Sequence, residues 1–270
     1  MDVEQFLKKS LLQTAKVLGG RWPVRPSALV LMFHAVDHSG SPYSITPEVF
    51  RAQMEILLAH GLRFVRAREL AQALSTRQPL NQLVCVTFDD ALESAAEPIR
   101  WLHERGGYAS LFVATTELGF NHWDAGHPDI PRRNCLSWEA LRSLATLGVE
   151  IGSHSVNYPR LSRLASPELE NELRASRDIL QQKLAVSVDA LAYPYGDFNR
   201  AVVAAARAVG YRCAFTVQPS HVSVHTNLML IPRHEPTTLA QLDELISGTS
   251  HLYYRALGLW HRTRNIYWIS

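Results

Sequence analysis

The sequence predicts an α/β barrel of parallel strands in a single domain. Short apolar runs alternate with segments of helical pattern, which is typical of parallel strands joined by crossover helices. With seven or eight such runs in 270 residues, the pattern favours a barrel over an open sheet. The composition is that of a globular protein, since 47% of the residues are hydrophobic and 19% are charged.

The predicted strands are short apolar runs bounded by polar or turn-forming residues. They lie at Ala28–Phe33, Arg63–Val65, Leu83–Phe88, Ser110–Thr115, Val149–Ser153, Ala190–Tyr193, Cys213–Val217 and Leu228–Ile231. Active sites of α/β barrels gather at the carboxyl ends of the strands. The residues that follow each run are therefore the first candidates for a functional site.

The predicted helices begin at residue types that cap helix N-termini. Thr46 precedes a proline at the first helical position, and Gly61 ends that helix. Ser137 and Asn199 open later helices in the same way. The helical segments span about 47–60, 138–147, 166–184 and 200–209.

Charge, cysteine count and apolar run length exclude several classes of protein. The net charge of +2 gives no strong field, so we expect no nucleic-acid partner. Cys85, Cys135 and Cys213 show no CxxC spacing, which argues against a disulfide framework or a zinc ribbon. The longest apolar run, Ala28–Phe33, is far below the roughly 20 residues that span a bilayer.

Both chain ends are predicted to be extensions of a barrel that covers residues 28–245. Residues 1–27 carry apolar side chains on roughly one helical stripe, interrupted by lysines, and no cleavage site of a secretory signal follows. Residues 246–270 mix aromatic and basic side chains. Packing against the barrel is the simplest interpretation of each end, and peripheral contact with a membrane is the alternative. The sequence predicts a cytoplasmic location, with the inner membrane surface as an alternative, and leaves the oligomeric state open.

Polar side chains that can carry chemistry follow five of the predicted strands. Alone, each has a structural explanation: adjacent aspartates cap helices, and a histidine after a strand is often a hydrogen-bonding residue. Adjacent carboxylates nevertheless repel each other unless a cation or a proton lies between them. Together the residues predict the site of a metal-assisted hydrolase. They are His34, Asp89, Asp90, His154, Tyr195, Arg233 and His234.

Three ordered motifs resemble those of a known family. TFDD at Thr87–Asp90, SHSxxxPxL at Ser153–Leu161 and YPYG at Tyr193–Gly196 are similar to the first three motifs of the polysaccharide deacetylase family. This family is also called the NodB-homology or carbohydrate esterase 4 family. FHAVD near the start is similar to the N-terminal part of exopolysaccharide-type members. The resemblance covers roughly residues 28–235 and implies a distorted (β/α)7 TIM-like barrel.

The resemblance also implies a metal site with a catalytic base beside it. The first aspartate of the pair, Asp89, corresponds to the general base of the family. Asp90 and His154 correspond to two ligands of a divalent metal, zinc in the first instance, with cobalt or nickel as alternatives. Such a metal polarises the acetyl carbonyl and lowers the pKa of the attacking water.

The remaining roles are carried by backbone and histidine groups. By resemblance, the backbone N–H of Tyr195 donates to the oxyanion of the tetrahedral intermediate. His234, in IPRHEP, is the candidate general acid, and His34 is expected to line the same pocket.

The second metal histidine of the family is replaced by Tyr158. A phenol has a pKa of about 10 and must lose its proton before it ligates well, and tyrosinate is an unusual zinc ligand. Three outcomes stay open: Tyr158 ligates as phenolate, another residue completes the site, or the metal binds poorly. The candidate replacements are Asp124, His127, His221 and His225.

The arginine of the third motif is also absent, because Ala192 stands in its place. In the family this arginine holds the carboxylate of the base. Arg233 follows a neighbouring predicted strand, and we expect it to take over this contact with Asp89.

The function predicted from these residues is metal-dependent deacetylation of an N-acetylated carbohydrate. The reaction removes N-acetyl, or alternatively O-acetyl, groups from a polysaccharide or a glycan precursor. One alternative is a catalytically silent, carbohydrate-binding relative, which the loss of the second histidine favours. Another is a metal-independent hydrolase of amides or cyclic ureides, in which Asp89 and Asp90 share a proton.

Overall fold

A computed structural model of the chain describes residues 27–116, 118–119 and 133–247. Most of the two predicted extensions, together with the candidate ligands Asp124 and His127, lies outside these residues. The predicted boundaries of the barrel at residues 28 and 245 stay predictions. Among the described residues, no helix is both long enough and apolar enough to span a bilayer.

The strands form one curled parallel sheet and a small two-stranded pair. The strands are β1 (Leu29–Phe33), β2 (Ala35–Val36), β3 (Ser44–Ile45), β4 (Arg63–Phe64), β5 (Leu83–Phe88), β6 (Ala109–Val113), β7 (Glu150–Ser153), β8 (Ala190–Ala192) and β9 (Cys213–Phe215). The large sheet has the order β1-β5-β6-β7-β8-β9, and β4 also pairs with β5. Every pair in this sheet is parallel, and so is the separate pair of β2 and β3.

An irregular segment joins the two edges of this sheet. Ile231 bridges Phe215 of β9 and His234 bridges Leu31 of β1, both in parallel. The predicted strand at Leu228–Ile231 is therefore wrong in extent, because the pairing starts at Ile231 and consists of single bridges. The prediction of a distorted α/β barrel is confirmed, and this irregular closure is one source of the distortion.

The helices cover the outside of the sheet, except for the second helix, which packs inside the barrel. They are α1 (Pro47–Ala59), α2 (Ala67–Ser75), α3 (Ala96–Glu104), α4 (Trp138–Thr146), α5 (Ser166–Leu184), α6 (Arg200–Val209) and α7 (Leu239–Ile246). The predicted caps are confirmed, since the side chains of Thr46, Ser137 and Asn199 each accept a backbone hydrogen bond at a helix start. Sequence analysis missed α2 and α3, whose cap residues are Arg66 and Ala95, types that rarely cap helices. It also missed α7, although Thr238 and Gln241 form a capping box there.

Successive side chains along the strands point to opposite faces of the sheet and so belong to two separate hydrophobic cores. Leu31, Val86 and Leu111 belong to the outer core, between the sheet and the surrounding helices. Cys85 and Phe112 belong to an inner core, which α2 fills at the amino ends of the strands. Because side chains alternate along β5, Thr87 and Asp89 continue the inward face of Cys85. Asp89 is thereby aimed at the interior of the barrel, where the carboxyl ends of the strands meet.

Candidate active site

A buried ion pair between Asp89 and Arg233 lies at the centre of the site. Arg233 donates from both terminal nitrogens, at 2.7 Å to each carboxylate oxygen of Asp89. The Arg233 side chain is 0% exposed and the Asp89 side chain 2% exposed. Burial opposes ionisation of Asp89, but the charge and hydrogen bonds of Arg233, together with the nearby His154 and His34, lower the pKa of Asp89 to about 2. Asp89 is therefore a carboxylate at neutral pH.

Further contacts hold the guanidinium of Arg233 in a fixed orientation. Its Nε donates to the Thr216 carbonyl at 3.0 Å, and its Nη1 donates to the Thr87 hydroxyl at 3.1 Å. Its central carbon lies 5.7 Å from the ring centre of Phe112 and 5.9 Å from that of Phe215. The predicted contact of Arg233 with Asp89 is present.

Asp90 and His154 face each other across a short gap. The Nδ1 atom of His154 lies 2.7 Å from the carbonyl oxygen of Ala192. Because a carbonyl oxygen only accepts, Nδ1 carries a proton and donates to it, and the Nε2 atom faces away from that carbonyl. That Nε2 atom is 3.5 Å from Oδ1 of Asp90 and 3.9 Å from Oδ2 of Asp89. One imidazole nitrogen and two carboxylate oxygens therefore lie close together.

These donors fit a divalent cation. Among the residues that the structure describes, Oδ1 of Asp90 is buried and has no hydrogen-bond partner, and burial raises the pKa of Asp90. A buried oxygen in this state needs a proton or a cation. Carboxylate oxygen and imidazole nitrogen are usual zinc ligands, and the 3.5 Å between them is close to the roughly 3.3 Å expected between neighbouring ligands of a tetrahedral ion.

The third side of this gap is formed by Tyr158. Its ring centre lies 4.8 Å from that of His154, and its backbone has a left-handed φ of 55°. Burial, followed by the charges of Asp90 and Asp89, raises the pKa of Tyr158 well above its usual value. Within the described ranges, no group of three or more His, Cys, Asp or Glu side chains is placed to hold a metal. The phenol of Tyr158 therefore lies beside Asp90 and His154, and it is a weaker metal ligand than histidine or a carboxylate.

Of the candidate replacements for the missing histidine, the structure describes His221 and His225, and both have other surroundings than the gap between Asp90 and His154. The His221 ring packs against His234, with ring centres 6.0 Å apart. His225 is exposed and lines a surface cavity of about 450 Å³ together with Arg77 and Arg212. Between and after these two histidines the chain turns, because the Thr226 N–H donates to the Ser223 carbonyl.

Tyr195 occupies a strained turn directly after β8. Its φ of 57° lies in the left-handed region, as does the φ of 62° at Gly196. A Cβ at Gly196 would collide with the side chain of Val217, so only glycine allows this close approach. The backbone of Tyr195 hydrogen-bonds the Tyr158 phenol, so the predicted oxyanion donor lies beside the gap between Asp90 and His154.

The two histidines that could donate a proton to the leaving group, His34 and His234, have different surroundings. Nδ1 of His34 is 3.0 Å from a carboxylate oxygen of Glu235. Burial opposes its charge, but Glu235 and Asp90 raise the pKa of His34 to about 9. Burial, followed by the nearby His221, lowers the pKa of His234 to about 3. Sequence analysis missed Glu235, although it directly follows His234.

The fold and the site together define a class of protein. A parallel α/β barrel holds an ionised aspartate, an Asp–His pair and a backbone donor at the carboxyl ends of its strands, which is the arrangement of a hydrolase that activates water.

Comparison with known proteins specifies the family. The family model described as polysaccharide deacetylase matches residues 76–214, and the chain belongs to this family. A poly-beta-1,6-N-acetyl-D-glucosamine N-deacetylase of Staphylococcus epidermidis is 26% identical over 234 residues, covering 77% of this chain and 78% of the relative. The chain is a carbohydrate deacetylase, and the predicted family and enzyme class are confirmed.

Solved structures share the fold. The deacetylase PplD of Streptococcus pyogenes, in complex with acetate, has a TM-score of 0.69 and 23% identity, covering 82% of this chain and 96% of that one. IcaB from Ammonifex degensii has a TM-score of 0.69 and 21% identity, covering 83% of this chain and 97% of that one.

Proposed function

We propose that this protein hydrolyses N-acetyl groups of hexosamine residues in a polysaccharide, and that Asp90 and His154 hold a divalent metal for this reaction. The observation that carries the proposal is the buried Oδ1 of Asp90, which has no hydrogen-bond partner among the described residues and lies 3.5 Å from the Nε2 atom of His154, beside the ionised Asp89. The relatedness to an N-deacetylase of poly-beta-1,6-N-acetyl-D-glucosamine supports an N-acetylated carbohydrate as the substrate. O-acetyl groups and glycan precursors are alternative substrates for the same site.

Each residue of the site has a task in this reaction. The chemistry that a divalent metal supplies here is polarisation of the acetyl carbonyl and a lowered pKa of bound water. Asp89 accepts the proton of the attacking water, and Arg233 keeps Asp89 ionised and correctly oriented. The N–H of Tyr195, which hydrogen-bonds the Tyr158 phenol in this structure, exchanges that partner for the acetyl oxygen as this oxygen gains negative charge.

We infer that His34 is the general acid, although the sequence predicts His234. An acid that protonates the leaving amine must carry its proton at working pH and lie beside the reacting groups. Asp90 and Asp89 act on the pKa of His34, which is about 9, whereas burial lowers the pKa of His234 to about 3. His34 is therefore the protonated imidazole at neutral pH.

The pH profile distinguishes the two histidines. Because His34 loses its proton as the pH rises through about 9, kcat/KM for acetate release is expected to fall above that pH. His34→Gln is expected to lower kcat/KM at pH 7 by about 10²-fold and to remove this alkaline limb. His234→Gln serves as the matched control and is expected to retain the limb. An unchanged alkaline limb in His34→Gln would contradict the assignment.

Metal content tests the proposed site. Wild-type protein loaded with zinc is expected to retain the metal after dialysis, and Asp90→Ala is expected to lose it, as measured by elemental mass spectrometry. Tyr158→His replaces the protonated phenol by an ordinary ligand and is expected to tighten binding by about tenfold. Cobalt and nickel are loaded in parallel, because the ligand set does not select among them. Absence of metal in all variants, with acetate release that resists chelators, would overturn the proposal.

One observation favours a second candidate function. Burial raises the pKa of Asp90, while the pKa of the adjacent Asp89 is lowered to about 2. This difference suits a metal-free hydrolase in which Asp90 holds a proton near the ionised Asp89. Chelator-resistant turnover is the result that this candidate predicts.

The cytoplasmic location and membrane contact of the chain ends stay predictions from the sequence.

A further inference from the structure

A surface cavity of about 450 Å³ lies at the amino ends of the strands. Three arginines line it: Arg77 lies between α2 and β5, Arg207 belongs to the last turn of α6, and Arg212 directly precedes β9. Because the chain enters each parallel strand at its amino end, all three lie at the end of the barrel opposite to Asp89, which follows β5 directly. A ligand in this cavity is therefore remote from the reacting groups.

The lining of this cavity is rich in positive charge. Arg77, Arg207 and Arg212 are exposed, and a guanidinium stays charged at any ordinary pH. Among the residues that the structure describes, no aspartate or glutamate lines the cavity, and none of the three arginines forms an ion pair. Like charges that share a cavity repel each other, so an anion placed among them is favoured.

The positive charge continues into a neighbouring cavity of about 430 Å³, which shares Arg212. The charged side chains that it adds are two arginines and two carboxylates: Arg63, Arg68, Glu69 and Asp189. Glu69 already binds Arg66, with 3.0 Å between a carboxylate oxygen and a guanidinium nitrogen. Across the described lining of both cavities, arginines therefore outnumber carboxylates by five to two.

One wall of the first cavity is a loop that hydrogen bonds hold in a fixed shape. The Thr226 N–H donates to the Ser223 carbonyl at 2.8 Å, and the Ser223 N–H donates to the Thr226 hydroxyl at 2.9 Å. Oδ1 of Asn227 accepts from the N–H of Met229 at 3.0 Å and from Nη2 of Arg207 at 3.1 Å. Arg207 is thereby oriented by the loop. A wall of this kind is formed before a ligand binds, which lowers the entropy cost of binding.

The chemistry of the lining indicates a class of ligand. A guanidinium donates two parallel hydrogen bonds to a phosphate group, and several arginines balance the charge of a phosphate better than that of one carboxylate. The volume of about 450 Å³ is within the usual range of small-molecule sites and exceeds what a phosphate alone needs. The remaining space borders the apolar side chains of Leu74, Val224 and Leu228.

We propose that this cavity binds a phosphate ester. Arg77, Arg207 and Arg212 hold its phosphate groups, and the apolar wall contacts the organic part of the ligand. A soluble nucleotide and the headgroup of an anionic phospholipid share this chemistry. The site is separate from the candidate active site and does not depend on the proposed function.

Calorimetric titration of the full chain with ADP tests the site, and adenosine is the probe without phosphate. ADP is expected to bind at least tenfold more tightly than adenosine, and its affinity is expected to fall as the salt concentration rises. Arg77→Gln and Arg212→Gln are each expected to weaken ADP binding by about tenfold. The matched control is Arg200→Gln, which changes an exposed arginine at the other end of α6 and is expected to leave the affinity unchanged.

Vesicle flotation distinguishes the two sources of the phosphate. Vesicles of phosphatidylglycerol and phosphatidylcholine are compared with vesicles of phosphatidylcholine alone. Flotation with the anionic vesicles that is lost in Arg77→Gln/Arg212→Gln and retained in Arg200→Gln would assign the cavity to a lipid headgroup. ADP binding with the same dependence on these arginines, without flotation, would assign it to a soluble nucleotide.

Two results would overturn the inference: binding of neither probe, or binding that is the same in wild type and in the folded double variant Arg77→Gln/Arg212→Gln. Acetate release by the double variant is expected to equal that of the wild type, because the cavity is remote from Asp89. A failure of this site and a failure of the proposed activity are therefore separate results.

Discussion

Asp89→Asn is expected to lower kcat/KM for acetate release by about 10²–10⁴-fold, because an amide cannot accept the proton of the attacking water. The carboxylate is 2% exposed and is ionised under all ordinary conditions, with a pKa of about 2. Asparagine keeps the shape of the side chain and leaves Asp90 and His154 in place. Metal content is therefore expected to be unchanged. Because the variant also leaves the buried guanidinium of Arg233 without its carboxylate, the rate is compared only on protein shown to be folded.

The control for this variant is Asp178→Asn, an exposed aspartate on α5. It removes one negative charge far from the site and is expected to leave the rate unchanged. Acetate release and metal content are measured on the same preparations, and folding is checked by circular dichroism. A rate for Asp89→Asn equal to that of Asp178→Asn would show that Asp89 is not the base.

Arg233→Met is expected to lower the free energy of unfolding by about 3–5 kcal/mol, since it leaves the buried carboxylate of Asp89 without its cation. Methionine retains much of the apolar stem and adds no new charge. The contacts with Thr87 and Thr216 are lost as well. Chemical denaturation measures the change, and the exposed Arg142→Met on α4 is the matched control.

The double variant Asp89→Asn/Arg233→Met shows whether the two charges act as a pair. Removing both charges eliminates the isolated carboxylate, so the double variant is expected to be more stable than Arg233→Met alone. Additive losses of unfolding free energy would contradict the pairing.

The pH dependence of stability gives an independent check. The folded-state pKa of Asp89, about 2, is below its ordinary value of 3.8. The ion pair therefore stabilises the protein fully above pH 4, and this contribution is lost as the pH falls through about 2. In Arg233→Met the buried Asp89 protonates more easily. The difference in unfolding free energy between this variant and the wild type is therefore expected to shrink as the pH falls from 7 to 4. A difference that does not change with pH would argue against a charge effect.

Local patterns were sufficient for much of the fold. Apolar runs gave the central strands, and the caps at Thr46, Ser137 and Asn199 gave three helix starts, because both signals act within one turn or one strand. Helix α2 was missed since its start depends on distant groups. The N–H of Ala67 donates to Ser110, and the N–H of Arg68 donates to Glu150. Hydrogen bonds to residues that are distant in sequence leave no pattern in the sequence near the helix start.

The closure of the barrel also required the tertiary structure. Ile231 and His234 pair with strands that are distant in sequence through isolated bridges, which leave no periodic pattern. The sequence placed a strand at 228–231 because the residues there are apolar. In the structure the barrel is closed by the last of these residues, Ile231, and by His234, and the arginine between them reaches Asp89.

By itself, the sequence determined the class of fold, the family and most of the residues at the carboxyl ends of the strands. These properties follow from composition, short-range periodicity and ordered motifs, which are all encoded along the chain. Only the tertiary structure decided the protonation states and pairings: Asp89 with Arg233, His34 with Glu235, and Asp90 opposite His154. The physical reason is that a pKa depends on burial and on charges from distant segments, and folding alone brings these together.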